Sequence, residues 1–295
     1  ERHRKLVRLT LPRLPRANVL VEPEARNTAP AIALATLHVF HQDPDAVLVV
    51  VPSDQHVADP AAFRAAIAEA VRVASTGAIV TLGIRPTRPE TGYGYIRLGA
   101  PSTGTARAVA SFAEKPDAVT ARRYLDSGEY LWNAGLFVFT ARAMLQALIT
   151  HLPGARAPLQ RMQAAWGTRK GPGAVKANFA RLPAISIDYG VAEKATNIQV
   201  VPCDCGWSDV GSFDALSEVR PTDADGNVVL GEGALVLNTR GSVVVASGRP
   251  LAVVGMQDVV VVDAGDAVLV VPRSRSQDVR QAVEALKARK LTQYL

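Results

Sequence analysis

Along the first two thirds of the chain, short apolar bursts alternate with segments of helical period. Val19–Val21 predicts a short strand. Thr28–His41 predicts a helix: Asn27 or Thr28 can cap it, Pro30 falls in its first turn, and Ala31, Leu34, Ala35 and Val39 share a face. Ala46–Val51 (AVLVVV) has no polar alternation, which predicts a parallel strand covered on both faces. Asp59–Ser75 returns to helical spacing, with Phe63, Ile67 and Val71 on one side, and Ala78–Ile84 is the next apolar strand. Strands alternating with helices point to an α/β fold with a largely parallel sheet. Pro86–Gly94 reads as a loop, followed by strand-like Tyr95–Leu98, Arg107–Ala113 and Leu136–Thr140. Ala141–Leu182 is mostly helical and broken at Pro153, Gly167, Gly171 and Gly173.

The texture changes after about Asp223. Asn227–Pro272 holds short valine-rich bursts (NVVLG, ALVLNT, SVVVAS, LAVVG, DVVVVDA, AVLVVP) separated by Gly, Asp or Asn. This predicts a second, all-β domain of stacked short strands resembling a β-helix, with a small sandwich or barrel as the alternative. Val279, Val283 and Leu286 then recur at helical spacing within Ser274–Lys290, with Ser276 near the start. That segment is expected to be an amphipathic helix covering the end of the domain. The chain thus divides into residues 1–222 and 223–295.

Composition narrows the function classes. Hydrophobic residues make up 48% and charged residues 20%, the balance of a folded rather than a disordered chain. Lys and Arg number 33 against 27 Asp and Glu, a net charge of +6 that suits an anionic ligand as well as a nucleic acid. The basic residues are scattered, with no aromatic–basic platform, so a nucleic-acid binder is disfavoured despite a pI near 9.5. No apolar run approaches the ~20 residues of a membrane-spanning helix, so no membrane partner is expected. Cys203 and Cys205 flank one residue, a spacing poor for a disulfide, and no neighbouring His or Cys completes a zinc set. Reduced thiols and a cytoplasmic location are expected. The first residue is Glu1 rather than Met, and the basic, amphipathic Glu1–Pro12 lacks the apolar core of a signal peptide. The chain is therefore expected to be a piece of a longer protein.

Several local constellations carry chemistry. The apolar run Val47–Val51 ends in Pro52-Ser53-Asp54-Gln55-His56, and ligands of open α/β sheets gather outside the carboxyl ends of strands. Asp54 therefore suits a metal or ligand site, or equally the capping of its turn. Asp209 stands between Gly206 and Gly211 after strand-like Thr196–Val201, with a helix expected to follow. Two such carboxylates are what one Mg²⁺ needs when substrate phosphates and waters complete its shell; two unrelated turn aspartates are the alternative. Glu114-Lys115 closes a strand with an acceptor for sugar hydroxyls and a cation for a phosphate, although such a pair is also common on solvated surfaces. Helix-like Tyr189–Lys194 ends in a second Glu-Lys pair. Trp132-Asn133-Ala134-Gly135 interrupts an apolar strand, Asn133 offering donor and acceptor and Gly135 permitting close backbone approach. Thr91–Tyr95 is a glycine-bearing loop. Glu22–Ala29 leads into a helix N-terminus, where Arg26 and Asn27 can meet a base edge or an anion, or Asn27 and Thr28 can simply cap.

In order along the chain, these segments resemble one family: the bacterial mannose-1-phosphate guanylyltransferases, among the sugar-phosphate nucleotidyltransferases. The resemblance rests on EPEARNTAPAIALA (Glu22–Ala35), VVVPSDQH (Val49–His56), TGYGYI (Thr91–Ile96), FAEKP (Phe112–Pro116), LWNAGLFVF (Leu131–Phe139), SIDYGVAEK (Ser186–Lys194) and GWSDVGSF (Gly206–Phe213). It implies a Rossmann-like nucleotidyltransferase domain followed by a β-helix-like domain. It implies a reaction in which GTP and mannose 1-phosphate give GDP-mannose and pyrophosphate, the sugar phosphate attacking the α-phosphorus without a covalent enzyme intermediate. By the family's pattern Asp54 and Asp209 hold Mg²⁺, and Glu114 binds sugar hydroxyls. Lys115 and Lys194 contact phosphates, Lys194 with a catalytic role, while Asn133 and Gly135 line the sugar pocket. Glu22, Arg26, Asn27, Thr28, Gly92, Tyr93 and Gly94 lie against the nucleotide. Self-association as a homodimer through the tail domain is a further expectation.

The chain departs from the family pattern at two places. The usual Asp-His pair reads Asp54-Gln55, so His56 receives no role. The glycine-rich triphosphate loop with its Arg and Lys is absent, and no Gly-Gly occurs in the 295 residues. This polypeptide alone is therefore expected to be inactive or severely impaired. Two other functions fit the same residues: a nucleotidyltransferase for another base or hexose, and a non-catalytic sugar-nucleotide-binding regulatory subunit. The retained Asp54 and Asp209 argue against the second.

Overall fold

The computed structural model describes residues 3–294, and Glu1, Arg2 and Leu295 lie outside it. The described chain forms two compact units. One runs through Pro52 and resumes over Asp59–Cys205; the other comprises Ser53–Ala58 and the residues from Gly206 on. In the second unit His56–Val57 pairs antiparallel with Trp207–Ser208, which draws six early residues into it.

The first unit is built on a six-stranded sheet. Its strand order is Val47–Val50, Tyr130–Thr140, Ile79–Ile84, Ile198–Cys203, Arg107–Glu114, Gly94–Pro101. Gly94–Pro101 also pairs with the first residues of Tyr130–Thr140, so that long strand serves three neighbours. Layers cover both faces. Ile79, Phe137 and Phe139 join a core with the Thr28–Phe40, Ala141–His151, Arg156–Ala165 and Gly171–Phe179 helices. The alternate positions Val80, Leu82, Leu136 and Val138 are buried as well. The Pro60–Ala74 helix packs on four of these strands through Ala66, Ala70, Val73 and Ala74, and the Asp59 carboxylate caps it by accepting from the Ala61 and Ala62 N–H groups.

The mixed α/β class stands, and the direction of the strands is a correction. Only Ile79–Ile84 with Ile198–Cys203 is parallel, and the other pairings are antiparallel. A continuous apolar run reports burial on two faces, which a mixed sheet between helices supplies whatever the direction of its strands. Val47–Val50 is an edge strand, and Val49 is exposed rather than covered. Val19–Val21 is not a strand: it follows a 3₁₀ turn at Arg16–Asn18 and has no ladder partner among the described residues. Gly171 and Gly173 do not break a helix; they open the Gly171–Phe179 helix.

The second unit stacks short strands in parallel. Val228, Val243 and Val260 lie in register in one sheet, and Ala234–Leu237 pairs with Leu251–Val254 in another. Val244, Val253, Val259 and Val261 form one core cluster and Val228, Val243, Val260 and Val262 a second, so valines line both faces of the larger sheet. This is the β-helix-like arrangement, closed by Val268–Pro272 running back antiparallel to Val259–Asp263. The terminal helix spans Val279–Ala288 after a 3₁₀ stretch, with Val279, Val283 and Leu286 half-buried and no residue fully buried.

The sharpest electrostatic feature of this unit is Asp263. Its carboxylate side chain is 1% exposed. It accepts from Arg249 Nε and Nη2 at 2.7 and 2.8 Å, from the Ser247 hydroxyl at 2.7 Å and from the Gly265 N–H at 2.9 Å. Arg249 and these hydrogen bonds hold the carboxyl far below the usual carboxylate range. A depressed carboxyl contributes stability above its unfolded pKa, and that stability is lost as pH falls through the folded value. Thermal melts from pH 7 to pH 2 should show the transition dropping at the acid end, and Asp263→Asn should melt lower at pH 7 with a flatter acid limb. Equal acid sensitivity in both proteins would refute this linkage.

Candidate functional site

In the first unit, the end of one strand and the start of its neighbour meet around a carboxylate. Glu114 closes Arg107–Glu114 and pairs with Gly94, the first residue of Gly94–Pro101. A Cβ on Gly94 would lie 2.6 Å from Glu114 Oε2 and 3.3 Å from the Phe112 ring, so glycine is what lets the carboxylate lie across the neighbouring strand. The Glu114 side chain is 12% exposed, and Lys115 Nζ stands 3.4 Å from its Oε1. Lys115 turns there through a left-handed backbone (φ 48°), and its N–H donates to the Tyr93 carbonyl at 3.2 Å.

Asn133 is fixed from several sides. Its Oδ1 accepts from the Thr81 hydroxyl at 2.9 Å and from the Gly135 N–H at 3.2 Å, and its Nδ2 donates to Asp188 Oδ1 at 2.9 Å. Asp188 opens a π-helical turn over Asp188–Ala192, a local widening that recurs at functional sites. Glu193 and Lys194 follow directly, and both are exposed. Three carboxyls here sit above their ordinary range. Burial raises Glu114 first, with Asp188 adding to it and Lys115 opposing. Burial also raises Asp188, against the hydrogen bond from Asn133. Glu193, though its side chain reaches solvent, is raised by partial desolvation and then by Asp188. Carboxylates crowded in this way, beside an ammonium and an amide, make a polar recess that accepts hydrogen bonds from hydroxyls and leaves a cation at its rim.

The glycine loop adjoins the recess. Tyr93 is buried with its ring edge-on to Trp132 at 5.1 Å, and Arg88 lies over the same indole at 5.5 Å. Glu90 accepts from the Gly92 N–H at 2.9 Å and from Arg88 at 3.2 Å. Gly92, Tyr93 and Gly94 thus border the residues expected to hold the sugar. The Glu22–Thr28 segment separates into two places. Arg26 donates to the Leu182 carbonyl and to Glu24. Asn27 (φ 71°) caps the helix through the Thr28 N–H, and the Thr28 hydroxyl accepts from the Ile187 N–H at 2.8 Å, one residue before Asp188. Glu22 instead lines a hollow of about 750 Å³ with Leu20, Trp166 and Val175, where burial raises its carboxyl.

The second unit brings Asp54 and Asp209 to one short ladder. His56 pairs with Ser208, so Asp54 stands two residues before one strand and Asp209 directly after the other, and the Trp207 indole donates to Gln55 at 2.8 Å. Asp54 is exposed and Asp209 half-exposed. Asp209 Oδ1 accepts from the Gly211 N–H at 2.8 Å, and a Cβ on Gly211 would lie 2.6 Å from Oδ2. Between them Val210 adopts φ 49°, a conformation costly for a β-branched residue, on the order of 1–3 kcal/mol. The helix expected after Asp209 is a single turn, Leu216–Val219. Among the described residues no group of three or more His, Cys, Asp or Glu is arranged to hold a metal. Two hard oxygen donors suit an ion such as Mg²⁺ that takes its other ligands from phosphates and water. Cys203 and Cys205 are free and buried, and burial pushes the Cys203 thiol up to about 12. No helix among the described residues is long and apolar enough to cross a membrane.

The chain belongs to the nucleotidyl transferase family, whose model matches residues 2–226, and a MannoseP isomerase/GMP-like beta-helix domain matches residues 223–286. Its relatives within that family include proteins named mannose-1-phosphate guanylyltransferase. It is 45% identical over 274 residues to the xanthan biosynthesis protein XanB of Xanthomonas campestris pv. campestris (strain B100), which covers 92% of this chain and 57% of that protein. It is 42% identical over 303 residues to the mannose-1-phosphate guanylyltransferase of Escherichia coli, covering 100% of this chain and 64% of that protein. The chain therefore spans roughly three fifths of the length of these relatives. A crystal structure described as mannose-1-phosphate geranyltransferase from Thermus thermophilus superposes with a TM-score of 0.82 at 41% identity, over 91% of this chain and 77% of that one.

Reading the residues alone missed Asp188 and Thr81. Asp188 carried a signal, a lone carboxylate inside the otherwise uncharged SIDYGVA. Thr81 carried none, since a threonine inside VTLGI reads as one more β-branched strand residue.

Gly94→Ala should leave the far-ultraviolet spectrum unchanged, because the Glu114 carboxylate can swing aside, and should weaken hexose-phosphate binding by more than about tenfold, because that swing takes the carboxylate out of its place. Titration calorimetry of the two proteins checks this. Asp188→Asn should separate stability from binding: removing a buried charge keeps the melting temperature at pH 8 at or above that of the parent, while ligand affinity falls.

Proposed function

We propose that the protein containing this chain is a magnesium-dependent nucleotidyltransferase that forms GDP-mannose and pyrophosphate from GTP and mannose 1-phosphate. The observation that carries this reading is the recess of Glu114, Lys115, Asn133 and Asp188, in a chain whose relatives bear the name mannose-1-phosphate guanylyltransferase. An oxygen of the sugar phosphate forms a new bond to the α-phosphorus of GTP, the bond from that phosphorus to the bridging oxygen breaks, and pyrophosphate leaves with that oxygen. Two polyanions meet, so alignment and charge neutralisation supply most of the rate.

Glu114 and Asp188 accept hydrogen bonds from hydroxyls of the hexose, and the Asn133 amide holds Asp188 in place. Lys115 and Lys194 face the phosphates. Gly92–Gly94 and the Arg26–Thr28 corner lie toward the nucleotide. Asp54 and Asp209 would hold Mg²⁺, which when bound neutralises phosphate charge.

Pyrophosphate release, measured across nucleoside triphosphates and hexose 1-phosphates, should be fastest with GTP and mannose 1-phosphate and should stop on chelation of divalent cations. Strong preference for dTTP or UTP would overturn the guanine assignment. Asp209→Asn should reduce turnover by about 10²-fold or more with the fold intact. Because Glu114 and Asp188 titrate above the ordinary carboxylate range, affinity for the sugar phosphate should weaken on acidification at a higher pH than an unperturbed carboxylate would give. A flat affinity from pH 8 to pH 4 would count against these two residues as hydroxyl acceptors.

A further inference from the structure

The Thr81 side chain sits in the Ile79–Ile84 strand near the middle of the sheet, fully buried. Its hydroxyl lies 2.8 Å from the Leu136 carbonyl and 2.9 Å from Asn133 Oδ1. The orientation of the Asn133 amide follows from its surroundings. The Gly135 N–H can only donate, so the atom facing it is Oδ1, and the NH₂ group must face Asp188. Thr81 Oγ1 meets that same oxygen. The hydroxyl has one proton, shared between the Leu136 carbonyl and Oδ1, so Oδ1 accepts from the Gly135 N–H and from this shared proton, and turning the amide over would set its NH₂ against the Gly135 N–H and strand a buried polar group. The register shift between Thr81 and Gly83 against Tyr130–Thr140 is where the ladder opens to admit this side-chain contact.

We propose that Thr81 is a positioning residue for the recess: its hydroxyl locks the Asn133 amide and thereby delivers an N–H to Asp188. Thr81, Asn133 and Asp188 form a three-residue chain of hydrogen bonds from the core of the sheet to the π-helical turn. Thr81 is fully buried and acts through Asn133. The inference rests on the reading that this recess takes the hexose, and it deepens that reading by naming what sets the direction of its hydrogen bonds.

The test uses Thr81→Val, which keeps the shape and removes the hydroxyl, and Thr81→Ser, which keeps the hydroxyl. The first measurement needs no substrate: hydrogen exchange of the Asn133 side-chain amide by ¹⁵N NMR. Exchange should quicken at least about tenfold in Thr81→Val and stay near the parent value in Thr81→Ser. The second is kinetic, in the complete protein. The KM for mannose 1-phosphate should rise about tenfold in Thr81→Val, with kcat and the KM for GTP within about twofold, and Thr81→Ser should restore it. Unchanged amide exchange in Thr81→Val, or equal KM values in the two variants, overturns the proposal. Faster exchange in Thr81→Val, with a parent protein that binds no hexose 1-phosphate, upholds the positioning and overturns the hexose reading instead.

Discussion

Two carboxylates held close together under partial burial set the terms for the first unit. Glu114 and Asp188 each raise the energy of the other's charge, and burial raises both. Left alone they would take up protons and lose their value as acceptors. The surrounding structure opposes this with Lys115 at the rim, the Asn133 amide and the backbone N–H of the π-helical turn. Each of these groups needs support of its own. Asn133 needs Thr81 and Gly135, and Glu114 needs a neighbour without a side chain at Gly94. The arrangement of the sheet around Tyr130–Thr140, which joins Gly94–Pro101 and Ile79–Ile84, is what places those supports side by side.

Strain collects at the same places. Among the described residues six that are not glycine have a positive φ, and Asn27, Lys115 and Val210 among them each lie inside a segment expected to carry chemistry. Asn27 fits such a conformation readily, because its side chain caps the helix that follows. Lys115 and Val210 have no such excuse. A lysine turned left-handed aims its ammonium back at the residue before it. A valine turned left-handed lets the Asp209 carboxylate fold over the Gly211 N–H. In both cases a conformation unfavourable to the residue serves the carboxylate beside it.

Much of this was legible in the residues, for identifiable reasons. Helix limits near Thr28, Asp59 and Ala141 followed from caps and period, and the valine bursts foretold the parallel stack of the second unit. Strand direction was not legible, because an apolar run such as IVTLGI is the same object read either way once helices cover both faces. Among the site residues, those in sharp local motifs were found: Glu114 and Lys115 before a proline, Asn133 and Gly135 inside an apolar strand. Asp188 and Thr81 matter through partners 55 and 52 residues away in the chain, and no local pattern encodes such a meeting.

The six residues Ser53–Ala58 belong to the second unit although the chain around them belongs to the first. A fragment started at Gly206 would leave Trp207–Ser208 without the strand it pairs with, and would lose Asp54 and the acceptor for the Trp207 indole together. The β-helix with its acidic corner is thus a discontinuous object. Its assembly must wait until about 150 residues separating the two strands have emerged, a loop closure that makes this corner a late and non-local step of folding.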